Sequence, residues 1–392
     1  MQKKLIALAL ASAFAAPAFA ATSNVDIGGT MDLSFDYLNA DKTVTATQTK
    51  DNGNLNVSSN ASNIFFKGSE DLGGGLKAIW QVQSYFSIGG TGNADTGVLG
   101  EAPKDGISSG NTFVGLSGGF GTVLMGKHEA PAKLISRSVD LFNNQIGDTR
   151  NFTANSGKSV AVALTTTATA GPASGVYSAG FDLRPNNVIA YATPNFSGFS
   201  AMAAYVTNVG EAGATTDHSV DAWSANAKYE NGPVYVGLGY QKHKLSEADP
   251  DFKDEQSLRL AARFTMADLK LVGYYEKQSK LNSWDQATLT LSSAHRNVWG
   301  LGAGYTMGAI TLKGQYYKAG KVSSVADSGA SMYALGADYA LSKRTTVLAA
   351  YAKTNNDSGA SYSAFGGGHG DNPGTSLGGD PSGFSVGVRH AF

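Results

Sequence analysis

The stretch GFSVGVRHAF, residues 383 to 392, puts Phe384, Val386, Val388, His390 and Phe392 on one parity and Ser385, Gly387, Arg389 and Ala391 on the other. A period of two is strand geometry, because successive side chains leave a pleated backbone on opposite faces. This is a strand with one apolar face. The fold depends on what that face meets: a second sheet in a soluble sandwich, or lipid in a closed barrel. Residue patterning alone leaves both readings open.

The other end of the chain bears on the choice. MQKKLIALALASAFAAPAFA carries Lys3 and Lys4, an apolar run from Leu5 to Ala16, and the small-residue pattern Ala18-Phe19-Ala20. This is the make-up of a secretory leader cleaved near Ala20, with a run too short to stay in a bilayer as a helix. The expected organisation is a leader over 1–20 and one barrel domain over 21–392. Loss of Lys3 and Lys4 takes the formal charge from -1 to -3, which argues against a nucleic-acid partner. With no cysteine there is neither a disulfide framework nor a thiolate metal site. Glycine is abundant at 49 residues and proline scarce at 10, which suits strands and turns rather than collagen-like or proline-rich chains. No apolar run of about 18 residues follows the leader, so no transmembrane helix is expected, yet a closed barrel can also cross a membrane.

From Val25 onward, alternating segments are joined in turn by tight and by long connections. The tight ones are DLGGG (71–75), GGFG (118–121), NFSG (195–198), NGP (231–233), ADL (267–269), MGA (307–309) and SKR (342–344), with hairpin turn chemistry. The long polar ones lie at 39–54, 88–110, 129 to about 160, 208–218, 245–255, 281–294, 320–330 and 355–382. Between them stand sixteen strand candidates: 24–38, 55–70, 76–87, 111–117, 122–128, 186–194, 199–207, 219–230, 234–244, 256–266, 270–280, 295–306, 310–319, 331–341, 345–354 and 383–392. An even number of antiparallel strands, with short turns at one end and long loops at the other, is the pattern of an outer-membrane barrel.

The faces agree. In VYVGLGYQK, Val234, Val236, Leu238 and Tyr240 oppose Gly237, Gly239 and Gln241, and in SLRLAARF, Leu258, Leu260 and Phe264 oppose Arg259 and Arg263. In NVWGLGAGY, Trp299, Leu301 and Tyr305 oppose Gly300, Gly302 and Gly304. One face is apolar with aromatic residues tending to its ends, as lipid contact flanked by aromatic girdles requires. The other carries charge or glycine, and those glycines leave space on the lumen side.

SNIFFKGSEDLGGGLKAIWQVQ (62–83), NTFVGLSGGFGTVLMGK (111–127), RPNNVIAYATPNFSGFS (184–200) and the terminal VGVRHAF occur in the order found in the general diffusion porins of Gram-negative bacteria. The whole mature chain resembles the neisserial and betaproteobacterial branch of that family. The resemblance implies a homotrimer of sixteen-stranded antiparallel barrels in the outer membrane, in contact with outer-membrane lipid and lipopolysaccharide. It implies passive diffusion of ions and small hydrophilic solutes, no catalysis and no cofactor or metal. It also implies that the third extracellular loop folds inward to narrow the pore, and that Phe392 is an address read by the barrel-assembly machinery.

The third long loop, HEAPAKLISRSVDLFNNQIGDTRNF (128–152), carries Asp140, Asp148 and Arg150. By resemblance its acidic groups face a basic barrel wall across the constriction, setting up a transverse field. For that wall, parity puts Lys67 (with Asn63 and Phe65), Lys77 (with Gln81 and Gln83) and Arg389 on lumen faces. Relatives often have Arg where Asn63 stands and Gly where Phe65 stands, so a less basic and locally narrower pore is expected here. Strict alternation puts Lys127 with Val123 and Met125 on the lipid face, and a bulge at Gly126 would turn it inward. Arg259, Arg263 and Lys313 are expected on the wall away from the loop, keeping the channel wet. GGGHGD (366–371) reads as flexible loop, since one His and one Asp make a poor metal site.

Two other classes compete. An outer-membrane enzyme would need lipid-level Ser and His residues, and the strands offer His295 and His390 without an evident partner. An adhesin would use the 355–382 loop against a host or neighbour, and a plugged, non-conducting lumen would favour it.

Overall fold

In the computed structural model the described residues are 24–39, 43–45, 48–50, 53–86, 107–154, 175–177, 180–207, 221–247, 251–285 and 290–392. The expected leader, 1–20, lies outside them, as does much of the long polar connections.

Among the described residues sixteen antiparallel strands close into a barrel, and a short strand, Gly175–Tyr177, adds to its rim. β1 is Asn24–Asn39, and β2 runs in two stretches, Gly53–Ser59 and Asn63–Gly73. β3 is Leu76–Tyr85, β4 Thr112–Gly118, β5 Gly121–Lys127, β6 Val188–Ala192, β7 Phe199–Val206 and β8 Ala222–Asn231. β9 is Val234–His243, β10 Gln256–Met266, β11 Leu269–Asp285 and β12 Thr290–Met307. The last four are β13 Ile310–Ala319, β14 Ala330–Ala340, β15 Thr345–Asn356 and β16 Ser382–Ala391. Each pairs with the next, and β16 returns to β1 in a ladder from Thr30↔Ala391 to Asn39↔Ser382. The ladder is prolonged by Phe392, whose N–H donates to the Gly29 carbonyl at 3.1 Å. Closure removes the sheet edge, which no lipid could satisfy.

All seven tight connections fall at one end of the barrel, where they were expected. At the first, Gly73, Gly74 and Gly75 take φ of 84°, 61° and 80°, a left-handed run that side chains resist. One expected loop is instead sheet: much of 281–294 belongs to β11 and β12, whose ladder shifts register between Gln278 and Leu281 and then continues to Asp285↔Thr290. The hairpin is prolonged because Leu281 and Ala294 are buried with Phe181 and Val322 in a small apolar cluster.

The two faces invert the habit of a soluble protein. Val25, Ile27, Phe35, Leu301, Leu335 and Phe384 are at least half exposed on the outside. Asp32, Asp36, Arg259 and Glu276 are buried on the inside. An apolar belt of this kind is stable only against lipid. The soluble sandwich is thereby replaced by a transmembrane barrel.

The two apolar clusters that bear on the channel sit within the lumen, between the wall and two loops that enter it. L3, residues 128–154, contributes Ile135, Val139 and Phe152 to a cluster with Tyr235, Val272, Tyr274, Val298 and Tyr317. Its Phe142 and Ile146 pack with Ala334, Ala350 and Ala352 of the wall and with Ala364 and Phe365 of L8, residues 357–381. Each such aromatic side chain contributes roughly 1.5–3 kcal/mol on burial, so both loops are parts of the fold. The sequence reading of GGGHGD as flexible is corrected here: His369 is fully buried and Gly370 N–H donates to Asn60 Oδ1 at 3.1 Å.

Candidate functional site: a constriction between L3 and the wall

L3 enters the barrel on a short helix, α1, Pro131–Arg137. Proline at its first turn pre-sets φ, and Ala132, Lys133 and Leu134 favour helix. Seven residues are too few to hold a helix alone; the wall holds it. Cβ atoms built on Gly237 and Gly239 of β9 would lie 2.9 Å from Ile135 Cδ1 and 3.1 Å from Ala132 Cα. The lumen glycines leave room, as expected, but here the room is taken by the loop. Ser224 Oγ accepts from Ala132 N–H at 3.0 Å, and Asn226 Nδ2 donates to the Pro131 carbonyl at 2.7 Å.

The wall cations expected to stand away from the loop are its struts. Arg259 reaches Ala132 O at 3.4 Å while pairing with Asp182 and, at 3.1 Å, Glu276. Arg263 donates to Ser138 O at 2.9 Å, and Lys313 donates to Gln145 Oε1 at 3.1 Å. That expectation is corrected, because the loop lies against β8–β15 and brings carbonyls that these groups satisfy.

Beyond α1 the loop folds around its own charges. Arg137 Nη1 donates to both oxygens of Asp148, at 2.9 and 3.0 Å, and to Asp140 Oδ2 at 3.1 Å. Arg150 Nη2 reaches Asp148 Oδ2 at 3.1 Å and Asn144 Oδ1 at 2.6 Å. Burial opposes the charge of Asp148, yet Arg137 and Arg150 hold its carboxyl below the usual range. Burial, followed by the Asp148 charge, pushes Asp140 up to about 6. The acids thus turn into the loop, toward its own arginines.

Between L3, L8 and the wall lies a cavity of about 200 Å³ lined by Tyr85, Glu129, Arg137, Asn144, Arg150 and Arg184, with Gly368 of L8 at one side. Arg184 donates to Glu129 Oε1 at 2.8 Å and to Tyr85 Oη at 3.2 Å, its guanidinium 4.9 Å from the Tyr85 ring centre. Side chains of Asp140 and Asp148 have no exposure, those of Arg150 and Arg184 keep 6 %, Arg137 keeps 13 % and Glu129, the one acid of the lining, keeps 18 %. Three guanidiniums against one carboxylate therefore line the cavity.

Of the residues expected from sequence, Asp140, Asp148 and Arg150 come together in L3. Arg389 joins them: its Nε is 2.6 Å from Asp32 Oδ2 and its Nη2 donates to Asn143 O at 3.1 Å. Lys67 stands nearer the short turns, opposite Asp26 and Gln81, its Nζ 5.3 Å from the Phe65 ring centre. Lys77 is one residue inside the first turn, opposite Asp71 and Ser117, at the rim. Lys127 ends β5 opposite Thr112 in a ladder without a register shift; instead of a bulge, Gly126 adopts φ 142°. Phe392 lies at the seam with β1. The sequence reading missed Arg137, Arg184 and Tyr85. Arg184 opens the quoted stretch RPNNVIAYATPNFSGFS and was open to notice there, but nothing in the spacing ties it to Tyr85, 99 positions away.

A family model described as Gram-negative porin matches residues 7–359. This chain belongs to the Gram-negative porin family. Outer membrane porin protein 32 of Delftia acidovorans is 30 % identical to it over 405 residues, covering 100 % of both chains. Major outer membrane protein P.IB of Neisseria meningitidis serogroup A is 27 % identical, covering 89 % of this chain and 92 % of that one. Among solved structures, the anion-selective porin from Comamonas acidovorans superimposes with a TM-score of 0.69 at 26 % identity, over 94 % of this chain and all of that one. The porin is a passive outer-membrane channel and not an enzyme.

Proposed function

We propose that this porin passes small hydrophilic anions in preference to cations, with selectivity set between L3, Arg184 and the β1–β3 wall. The carrying observation is the sorting of charge: Arg137, Arg150 and Arg184 line the cavity against a single carboxylate, Glu129, while Asp140 and Asp148 are fully covered. Charges inside a low-dielectric ring act on a passing ion far more strongly than charges in open water. The solved relative from Comamonas acidovorans is an anion-selective porin, which supports the reading. The transverse field expected from loop acids opposite wall bases is replaced, in this reading, by a ring of guanidiniums. Arg389 adds to it from β16, while Lys67 and Lys77 lie toward the short-turn end, and Lys127 stands at the head of L3.

The same reading includes three barrels in one trimer, assembly through Phe392 and its receptor, contact with lipopolysaccharide, and removal of residues 1–20. A related outer-membrane barrel of the same fold has been solved in a trimer form. The test is single-channel recording in a planar bilayer. Conductance is expected in groups of three steps, falling when chloride is exchanged for a bulky organic anion and holding when potassium is exchanged for a bulky cation. The reverse ordering would contradict the anion reading.

A further inference from the structure

L8 meets the constriction as closely as L3 does. Gly366 N–H donates to Asn151 Oδ1 of L3 at 2.8 Å. A Cβ on Gly367 would stand 2.8 Å from Asp148 Oδ1, and one on Gly368 only 2.4 Å from Arg150 Nη2. On its other side, one on Gly370 would stand 2.5 Å from the Ser59 backbone of β2. The glycine run is therefore wedged between L3 and the wall. Between those contacts sits His369, fully buried, with Nε2 3.1 Å from Asp36 Oδ2 of β1 and Nδ1 2.8 Å from the Asp371 carbonyl.

Both ring nitrogens face oxygens that only accept, Nδ1 in a hydrogen bond and Nε2 at ion-pair distance, so both call for a proton. We propose that L8 is the second jaw of the constriction and that the His369–Asp36 clasp sets its aperture, narrow when His369 is protonated and wider when it is not. This inference rests on the channel reading above and adds a moving part to it.

The charged groups around the clasp are accounted for. Asp371 of L8 is taken up by Asn56 of β2, and Asp32 of β1 by Arg389 of β16 at 2.6 Å. Arg150 and Asp148, on the L3 side, pair with each other. Asp36, which also accepts from Ser34 Oγ at 3.1 Å, is left to His369. Burial works against the imidazolium, but the Asp36 hydrogen bond and charge outweigh it and hold His369 above the usual histidine range. A raised value gives the clasp full strength below the ordinary histidine value of about 6.5 and removes it as pH climbs through the raised value. Deprotonation then leaves a nitrogen lone pair against a buried carboxylate or carbonyl, which is costly.

The experiment is single-channel conductance of the full-length protein between pH 6 and 9, for wild type and His369→Ala. Wild type is expected to step up about twofold as pH rises, because pore width governs conductance, and His369→Ala to hold the higher level throughout. A wild type that conducts with no such step overturns the proposal, and this result is available even if the variant does not fold. A step that persists in folded His369→Ala assigns the titration to another group and also overturns it. A folded barrel that conducts at no pH overturns the channel reading, and the clasp with it.

Discussion

L3 and L8 both leave the extracellular rim and return into the barrel, but they are held there by different means. L3 brings its own counter-charges, closing Arg137 and Arg150 on Asp148, and it leans on struts from β8, β10, β12 and β13. L8 has glycine where L3 has charge, and it is fixed by close packing, by hydrogen bonds and by the clasp at His369. A loop tied by many internal ion pairs is insensitive to any one of them. A loop whose ties include one buried titratable clasp answers to pH through it. The constriction thus joins a fixed jaw to a conditional one.

Removing a strut should show how firmly the fixed jaw is held. Arg259→Ala leaves Asp182 and Glu276 buried without their partner, and losing one member of a buried pair costs about 3–5 kcal/mol. Denaturant unfolding of the detergent-folded barrel should show a loss of that size. Crowding the wall comes next. Gly239→Val pushes against Ala132 and Ile135 of α1, an overpacking that costs about 1–3 kcal/mol, and single-channel conductance should fall as α1 moves into the lumen.

Smaller effects touch charge alone. A unit charge about 4 Å from a passing ion is worth about 1 kcal/mol even in water, so Arg184→Ala should cut the anion-to-cation permeability ratio by about fivefold or more. Asp140, raised to about 6, takes up a proton in the folded state between pH 7 and pH 5, where the unfolded carboxyl stays charged. Stability therefore rises slightly as pH falls through that window. The constriction gains one positive charge, so anion preference should increase from pH 7 to pH 5 and should not do so in Asp140→Asn. Smallest of all, Lys77→Gln alters an exposed rim residue eight positions along β3 from Tyr85, roughly 26 Å at the strand rise and so past the screening length of about 8 Å, and the permeability ratio should stay as in wild type.

The comparison also explains what could be read from sequence. The wall was legible almost strand by strand, because the pleat writes burial into every second residue: Leu258 and Leu260 face out, and Arg259 between them is buried inside. The contents of the lumen were legible only in part. L3 and its charged residues were recognisable, but which charges face the ion depends on pairings such as Arg137 with Asp148, a property of three-dimensional closure and not of spacing. Arg259, Arg263 and Lys313 show inward parity in sequence, and nothing there says whether they meet water or a loop. L8 was the least legible. Glycine reads as freedom in a sequence, whereas Gly366–Gly370 use it for close approach, which leaves no periodic trace. His369 drew notice only as a poor metal ligand, since Asp36 lies 333 positions earlier in the chain.

The guanidinium-lined constriction is tested most directly by the zero-current potential of the wild-type channel in a planar bilayer under a salt gradient at pH 7. A potential with the sign of an anion-preferring pore is predicted. A potential near zero, or one with the cation sign, would mean that Asp140, Asp148 or Glu129 governs the passing ion, and would contradict the sorting of charge on which the account stands.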